Sequence, residues 1–130
     1  MPVSKKKFLA LAAVITAGTW SAYFISYGMP PADVVRKLSG LRLSLELYRQ
    51  QYKRLPASFE ETLRAGTLEA PPELKLSGHL KRASVKDTGA MVIKDTGGWA
   101  YVNNPQDPDF GLLYIDCSHK DLKGRFWSEF

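Results

Sequence analysis

Residues Phe8 to Tyr27 form a twenty-residue run without a single charge, and Lys5, Lys6 and Lys7 stand directly before it. At the helical rise this run extends roughly 30 Å, the hydrocarbon thickness of a bilayer. Lysines on its leading side favour keeping that end in the cytoplasm, which sends residues 30–130 across the membrane. Trp20, Tyr23 and Tyr27 lie toward the far end, where amphipathic rings suit the headgroup region. The pattern predicts a basic tag over residues 1–7, a membrane element over 8–28 and an exported domain over 30–130. A removable secretory signal competes with a retained anchor, because it shares the charged start and apolar core. Its cleavage site would fall near Thr19-Trp20-Ser21, where the bulky Trp20, Tyr23 and Phe24 fit badly. Both readings export the domain.

Gly28-Met29-Pro30-Pro31 interrupts the apolar run, since proline removes a donor and restricts the residue before it. A second helix is predicted from about Ala32 to Lys53. Leu38, Leu41, Leu45, Tyr48 and Tyr52 recur at helical spacing and form one apolar face, which Val34, Leu43 and Leu47 widen. Pro56 stops this helix. Ser58-Phe59-Glu60-Glu61 has the form of a capping box, with Ser58 accepting from the Glu61 amide, and Gly66 suits the end of the short helix it opens.

Beyond Gly66 the periodicity becomes extended. Leu74 to Lys86 is weakly patterned and could hold one strand or an irregular loop. Ala90 to Lys94 is a possible short strand, and Trp99 to Val102 and Leu112 to Cys117 are better ones, joined by a hairpin loop over 103–111. Alternation puts Leu113, Ile115 and Cys117 on one face and Tyr114 and Asp116 on the other. Trp99 and Tyr101 likewise share a face. Helices first and strands afterwards predict an α+β fold, with a small antiparallel sheet laid on the amphipathic helix.

Charge changes the picture little. The chain carries +5 overall, but without the three N-terminal lysines 15 basic residues face 13 acidic ones. This near-balance argues against a nucleic-acid partner, which needs clustered cations. Cys117 is the only cysteine, so no internal disulfide braces the domain.

Several residues resemble a known group. Leu41-Arg42-Leu43-Ser44-Leu45-Glu46-Leu47-Tyr48, then Tyr52, Leu55-Pro56 and Ser58-Phe59-Glu60-Glu61-Thr62-Leu63, resemble the helix-to-loop region of type IV pilin-like proteins. Gly97-Gly98-Trp99-Ala100-Tyr101, Gly111, Tyr114-Ile115, Asp121 and Lys123-Gly124 are similar to the C-terminal sheet of the same group, closest to the G-type pseudopilins of type II secretion. The resemblance implies a non-enzymatic subunit or accessory protein of a secretion or pilus system. It would be held once in a bacterial inner membrane with its head in the periplasm, and its partners would be other pilin-like subunits. The chain departs from the family at its N-terminus. Lys7 stands where the precursor's glycine would be and Ala12 where its glutamate would be, so the usual processing and filament pairing are not expected.

Candidate chemistry is sparse. The resemblance brings a calcium-binding loop near the C-terminus, and Asn103, Asn104, Asp107 and Asp109 supply oxygen ligands in one connection. Ordinary turn formation explains the same residues. A periplasmic calcium- or small-ligand-binding module without a filament role is the alternative function; no other cofactor is expected. Cys117 and His119 lie two apart, but a nucleophile and base also need an orienting group and a pocket. Asp116, Cys117, His119 and Asp121 mix ligand types without the paired spacing of a structural zinc site. His79 is most simply a loop residue. No phosphate loop, carboxylate pair or nucleophile elbow is present.

Overall fold

In the computed structural model, which describes residues 4–130, the leading apolar run is helical. Helix α1 (Lys5–Ser26) contributes no buried residue and is long and apolar enough to cross a membrane. Three of its hydroxyls are satisfied within the helix: Thr16, Thr19 and Ser21 each donate to the carbonyl four residues back. Helix α2 (Pro31–Tyr52) begins with proline at its first position, where the missing donor costs nothing. It stops at Tyr52, with Lys53 left-handed at φ 57°. Continuing it would drive the Pro56 ring into the Tyr52 carbonyl.

The predicted stripe of α2 is buried at Val34, Leu38, Leu41, Leu45 and Tyr48, whereas Tyr52 is exposed and stacks on Tyr48 at a centroid distance of 4.5 Å. Helix α3 (Glu60–Arg64) follows, and its start differs from the predicted capping box. The Ser58 hydroxyl accepts from the Glu60 amide, while Glu61 reaches back to the Ala57 amide and takes a 2.6 Å hydrogen bond from Tyr48. Tyr48 and the Arg54 guanidinium, which donates at 3.0 Å, hold the Glu61 carboxylate away from the box.

The sheet comprises β1 (Val85–Thr88), β2 (Gly98–Val102) and β3 (Leu113–Asp116), in that spatial order. The fold is α+β, but the sheet is mixed rather than antiparallel. β1 runs parallel to β2, with Val85 opposite Trp99, and β3 runs antiparallel to β2, with Trp99 opposite Ile115. The first strand begins at the last two residues of the weakly patterned stretch Leu74 to Lys86 and runs on to Thr88. Ala90 to Lys94 is not a strand; it belongs to the irregular 89–97 crossover that parallel pairing demands. That crossover is tied to the outer sheet face, where the Tyr114 hydroxyl meets both the amide and the carbonyl of Val92.

The alternation of β2 and β3 divides two cores as expected. Trp99, Tyr101, Leu113, Ile115 and Cys117 join the α2 stripe, while Ala100, Val102 and Tyr114 pack with Met91 and Leu112 on the other face. Buried polar tips are satisfied: Trp99 donates to the Pro72 carbonyl at 2.9 Å and Tyr101 to that of Pro56 at 2.7 Å. Trp127, in the 3₁₀ turn Trp127–Glu129, closes the core's end beside Phe130. Arg42 straps the layers together by donating to the carbonyls of Leu113 and Phe130.

One closed loop joins the head to α1. Leu74 and Arg82 exchange both backbone hydrogen bonds, looping out residues 75–81. From this loop the Lys75 ammonium donates to the carbonyls of Tyr27 and Ile25, Ser77 to Ser26, and the Gly78 amide to Ile25. These bonds satisfy carbonyls that a helix end leaves orphaned, and the cation complements the negative end of the helix dipole.

Candidate metal centre

The loop that grips α1 also carries His79, whose amide donates to the Leu76 carbonyl. Its imidazole is nearly buried and turns toward the end of β3, where the chain leaves the sheet as Cys117-Ser118-His119. Asp95, from the crossover, completes the group. Cys117 Sγ lies 3.3 Å from His79 Nε2 and 3.4 Å from His119 Nδ1, and the two ring nitrogens are 3.1 Å apart. Asp95 Oδ1 is 3.2 Å from His79 Nε2 and 3.4 Å from His119 Nδ1. All four ligand atoms lie within 4.8 Å of one another.

A single atom of each residue makes every one of these contacts. Neutral imidazole offers one donor and one acceptor, and a thiol offers one weak donor. Hydrogen bonding therefore does not supply enough protons to explain this mutual approach. A tetrahedral ion would: zinc bound by nitrogen or oxygen at about 2.0–2.1 Å and by sulfur at about 2.3 Å would separate its ligands by roughly 3.3–3.6 Å, slightly more than the distances here.

The surrounding chain prepares this geometry. The Asp116 carboxylate accepts from the amides of Lys94, Asp95 and Thr96 and from the Thr96 hydroxyl, at 2.6–3.3 Å. This curls the crossover and holds Asp95 at φ 58°, a conformation a non-glycine residue seldom takes. The Ser118 amide then fixes Asp95 Oδ1 at 2.8 Å. Gly97 has φ 73°, and a Cβ there would sit 2.3 Å from His79 Cγ, so the imidazole rests on bare backbone. The Cys117 sulfur also accepts from the His119 amide.

Electrostatics suit an incoming cation. The Ser118 amide holds Asp95 below the usual carboxylate range, against its partial burial. Burial holds His79 below the usual imidazole range, partly opposed by Asp95. Burial also pushes the Cys117 thiol up to about 11. A thiol shifted in that direction is not an activated nucleophile, but a bound ion displaces its proton and takes the thiolate.

Cys117 has the core position that alternation predicts, and His79 is in a loop as expected. The structure unites Cys117 and His119 with His79 and Asp95 instead of with Asp116 and Asp121. Asp116 shapes the crossover, and Asp121 is spent on the amides of Lys123 and Arg125 and on the Arg125 guanidinium. In the 103–111 loop, Asn104 accepts from the Gln106 amide and Asp107 from the Asp109 amide, closing turns, while Asn103 donates to the Ala57 carbonyl. No known protein family, curated protein or solved structure matches the chain.

Proposed function

We propose that the protein is a single-pass, membrane-tethered domain whose exported head binds one transition-metal ion, zinc by its chemistry, through His79, Asp95, Cys117 and His119. Five of the six separations among the four ligand atoms are 3.1–3.4 Å and all six are within 4.8 Å, which supports this reading. Two nitrogens, one sulfur and one carboxylate oxygen suit a borderline-soft ion that accepts tetrahedral geometry. All four positions are filled by protein, the mark of a structural site; catalytic sites keep one open. The ion acts as a staple. It joins three separated stretches of a small domain that has no disulfide, and metal affinity then becomes folding stability.

Titrating cobalt(II) into the metal-free full chain tests this. One equivalent should give the visible bands of a tetrahedral ion and a sulfur-to-cobalt charge-transfer band, both bleached by zinc. Octahedral spectra, or no stoichiometric binding, would overturn it.

A second reading places the same head in a pilin-like assembly of a secretion or pilus system. It is favoured by Leu43 and Leu47, which lie one turn apart on α2 at 58 % and 44 % exposure, an apolar strip the head does not cover. Crosslinking from this strip in whole cells should capture pilin-machinery subunits; recovery of uncrosslinked monomer alone would count against it.

A further inference from the structure

Two exposed leucines near the α1 exit belong to neither packed core of the head. Leu80 is 65 % exposed and directly follows His79; Leu122 is 96 % exposed and lies three residues after His119. Each projects from a closed loop. Leu80 belongs to the loop sealed by Leu74 and Arg82, and Leu122 to the one sealed by Lys120 and Phe126 and stiffened by Asp121. Leu80 lines one cavity with Phe24 and Tyr27, the aromatic end of α1, and Leu122 lines another with Ser26 and Gly28. Both therefore sit at the level where α1 ends. Leu43, of similar exposure, stands twelve residues into α2, about 18 Å along its axis at the helical rise.

Cations accompany these leucines. Lys81 adjoins Leu80, while Lys120 and Lys123 flank Leu122, with the Lys120 ammonium 4.8 Å above the Phe126 ring. The nearby acids are engaged: Glu73 pairs with Lys81 at 3.2 Å and Asp121 with Arg125 at 2.9 Å. Exposed leucines at the depth of the aromatic belt, rimmed by lysines, match a leaflet with its acyl boundary and anionic headgroups.

We infer that the metal-bearing end of the head rests on the leaflet from which α1 emerges, inserting Leu80 and Leu122 beside the end of the helix while Lys120 and Lys123 meet anionic headgroups. The inference rests on the reading of α1 as a membrane span. The occupant is the bilayer itself, because the hydrogen bonds from Lys75, Ser77 and Gly78 fix these loops against the last turn of α1. The proposed ion links the Leu80 loop, through His79, to the base of the Leu122 loop, through His119, and so sets the spacing of the two leucines.

The test uses the full chain with leucine methyl labels, in nanodiscs of phosphatidylcholine with a minority of phosphatidylglycerol. Lipid nitroxides are placed near the headgroup and at mid-chain, and paramagnetic loss of methyl signal is read. Leu9 and Leu11 in α1 should lose intensity with the mid-chain label. With the headgroup label, Leu80 and Leu122 should lose most of their intensity while Leu43 retains its own. If α1 is attenuated but Leu80 and Leu122 fade no more than Leu43, the inference is overturned and the anchor stands. If Leu9 and Leu11 are untouched, both fall together.

Discussion

Cys117 Sγ and His79 Nε2 lie 3.3 Å apart across 38 residues of chain. His79 comes from the loop that grips the last carbonyls of α1, and Cys117 from the end of β3. The contact therefore joins the membrane-proximal loop to the sheet at a single point, and an ion placed there fastens one to the other.

Replacing Cys117 with Ser should lower zinc affinity by at least about 100-fold, the upper range for disturbing even a ligand's support. Zinc at a thousandfold excess over its dissociation constant should stabilise the native chain by about 4 kcal/mol and the Cys117→Ser variant by far less. Calcium should do neither, since sulfur and imidazole are poor ligands for a hard ion. Calorimetry with both ions checks this, and calcium heat abolished by Asp107→Ala would restore the 103–111 loop as a site.

Gly97→Ala should destabilise the head by about 1–3 kcal/mol, the usual cost of a non-glycine residue forced into a sparsely populated conformation. The 2.3 Å approach to His79 should also displace the imidazole and weaken zinc binding. Urea midpoints with and without zinc separate the two effects. A variant with native stability and native affinity would show that His79 does not lie on this backbone.

Asp116→Asn should reduce zinc affinity by about 10- to 100-fold although Asp116 is not one of the converging ligands. Its carboxylate accepts the three amides that curl residues 94–96, and the amide replacement turns one acceptor oxygen into a donor. The cobalt spectrum should keep its tetrahedral form, because the ligand set is intact. A change of geometry would instead make Asp116 a ligand.

The hydrogen bond from Tyr48 holds the Glu61 carboxylate below the usual range, with Arg54 and the Ala57 amide assisting against partial burial. The folded-state value is depressed, so this stabilisation is fully present above the ordinary glutamate value of about 4.3 and is lost as pH falls through the folded value. Tyr48→Phe should therefore be less stable than the parent at neutral pH, with the gap narrowing below pH about 4. Urea midpoints across that range test it; a gap independent of pH would mean that only packing was lost.

The sequence by itself determined the parts that depend on neighbouring residues: the uncharged run of α1, the stripe Leu38/Leu41/Leu45/Tyr48, the alternation of β3 and the β2–β3 hairpin. The stripe and the alternation are written at spacings of two to four residues, so burying one apolar face is enough to select them, and the other two follow from a continuous run and a single connection. Tertiary structure alone decided the parallel pairing of β1, whose Val85-Lys86-Asp87-Thr88 becomes a strand because Trp99 to Val102 offers it an edge. It alone decided the candidate metal centre as well. His79, Asp95 and Cys117 stand 16 and 22 residues apart, and no periodic rule links them. Gly97 and Asp116 carried faint signals, one inside a Gly-Gly run and the other on the outer face of a strand. What those signals served emerged only when the crossover folded back, because the ligands approach one another through backbone curvature that no local pattern encodes.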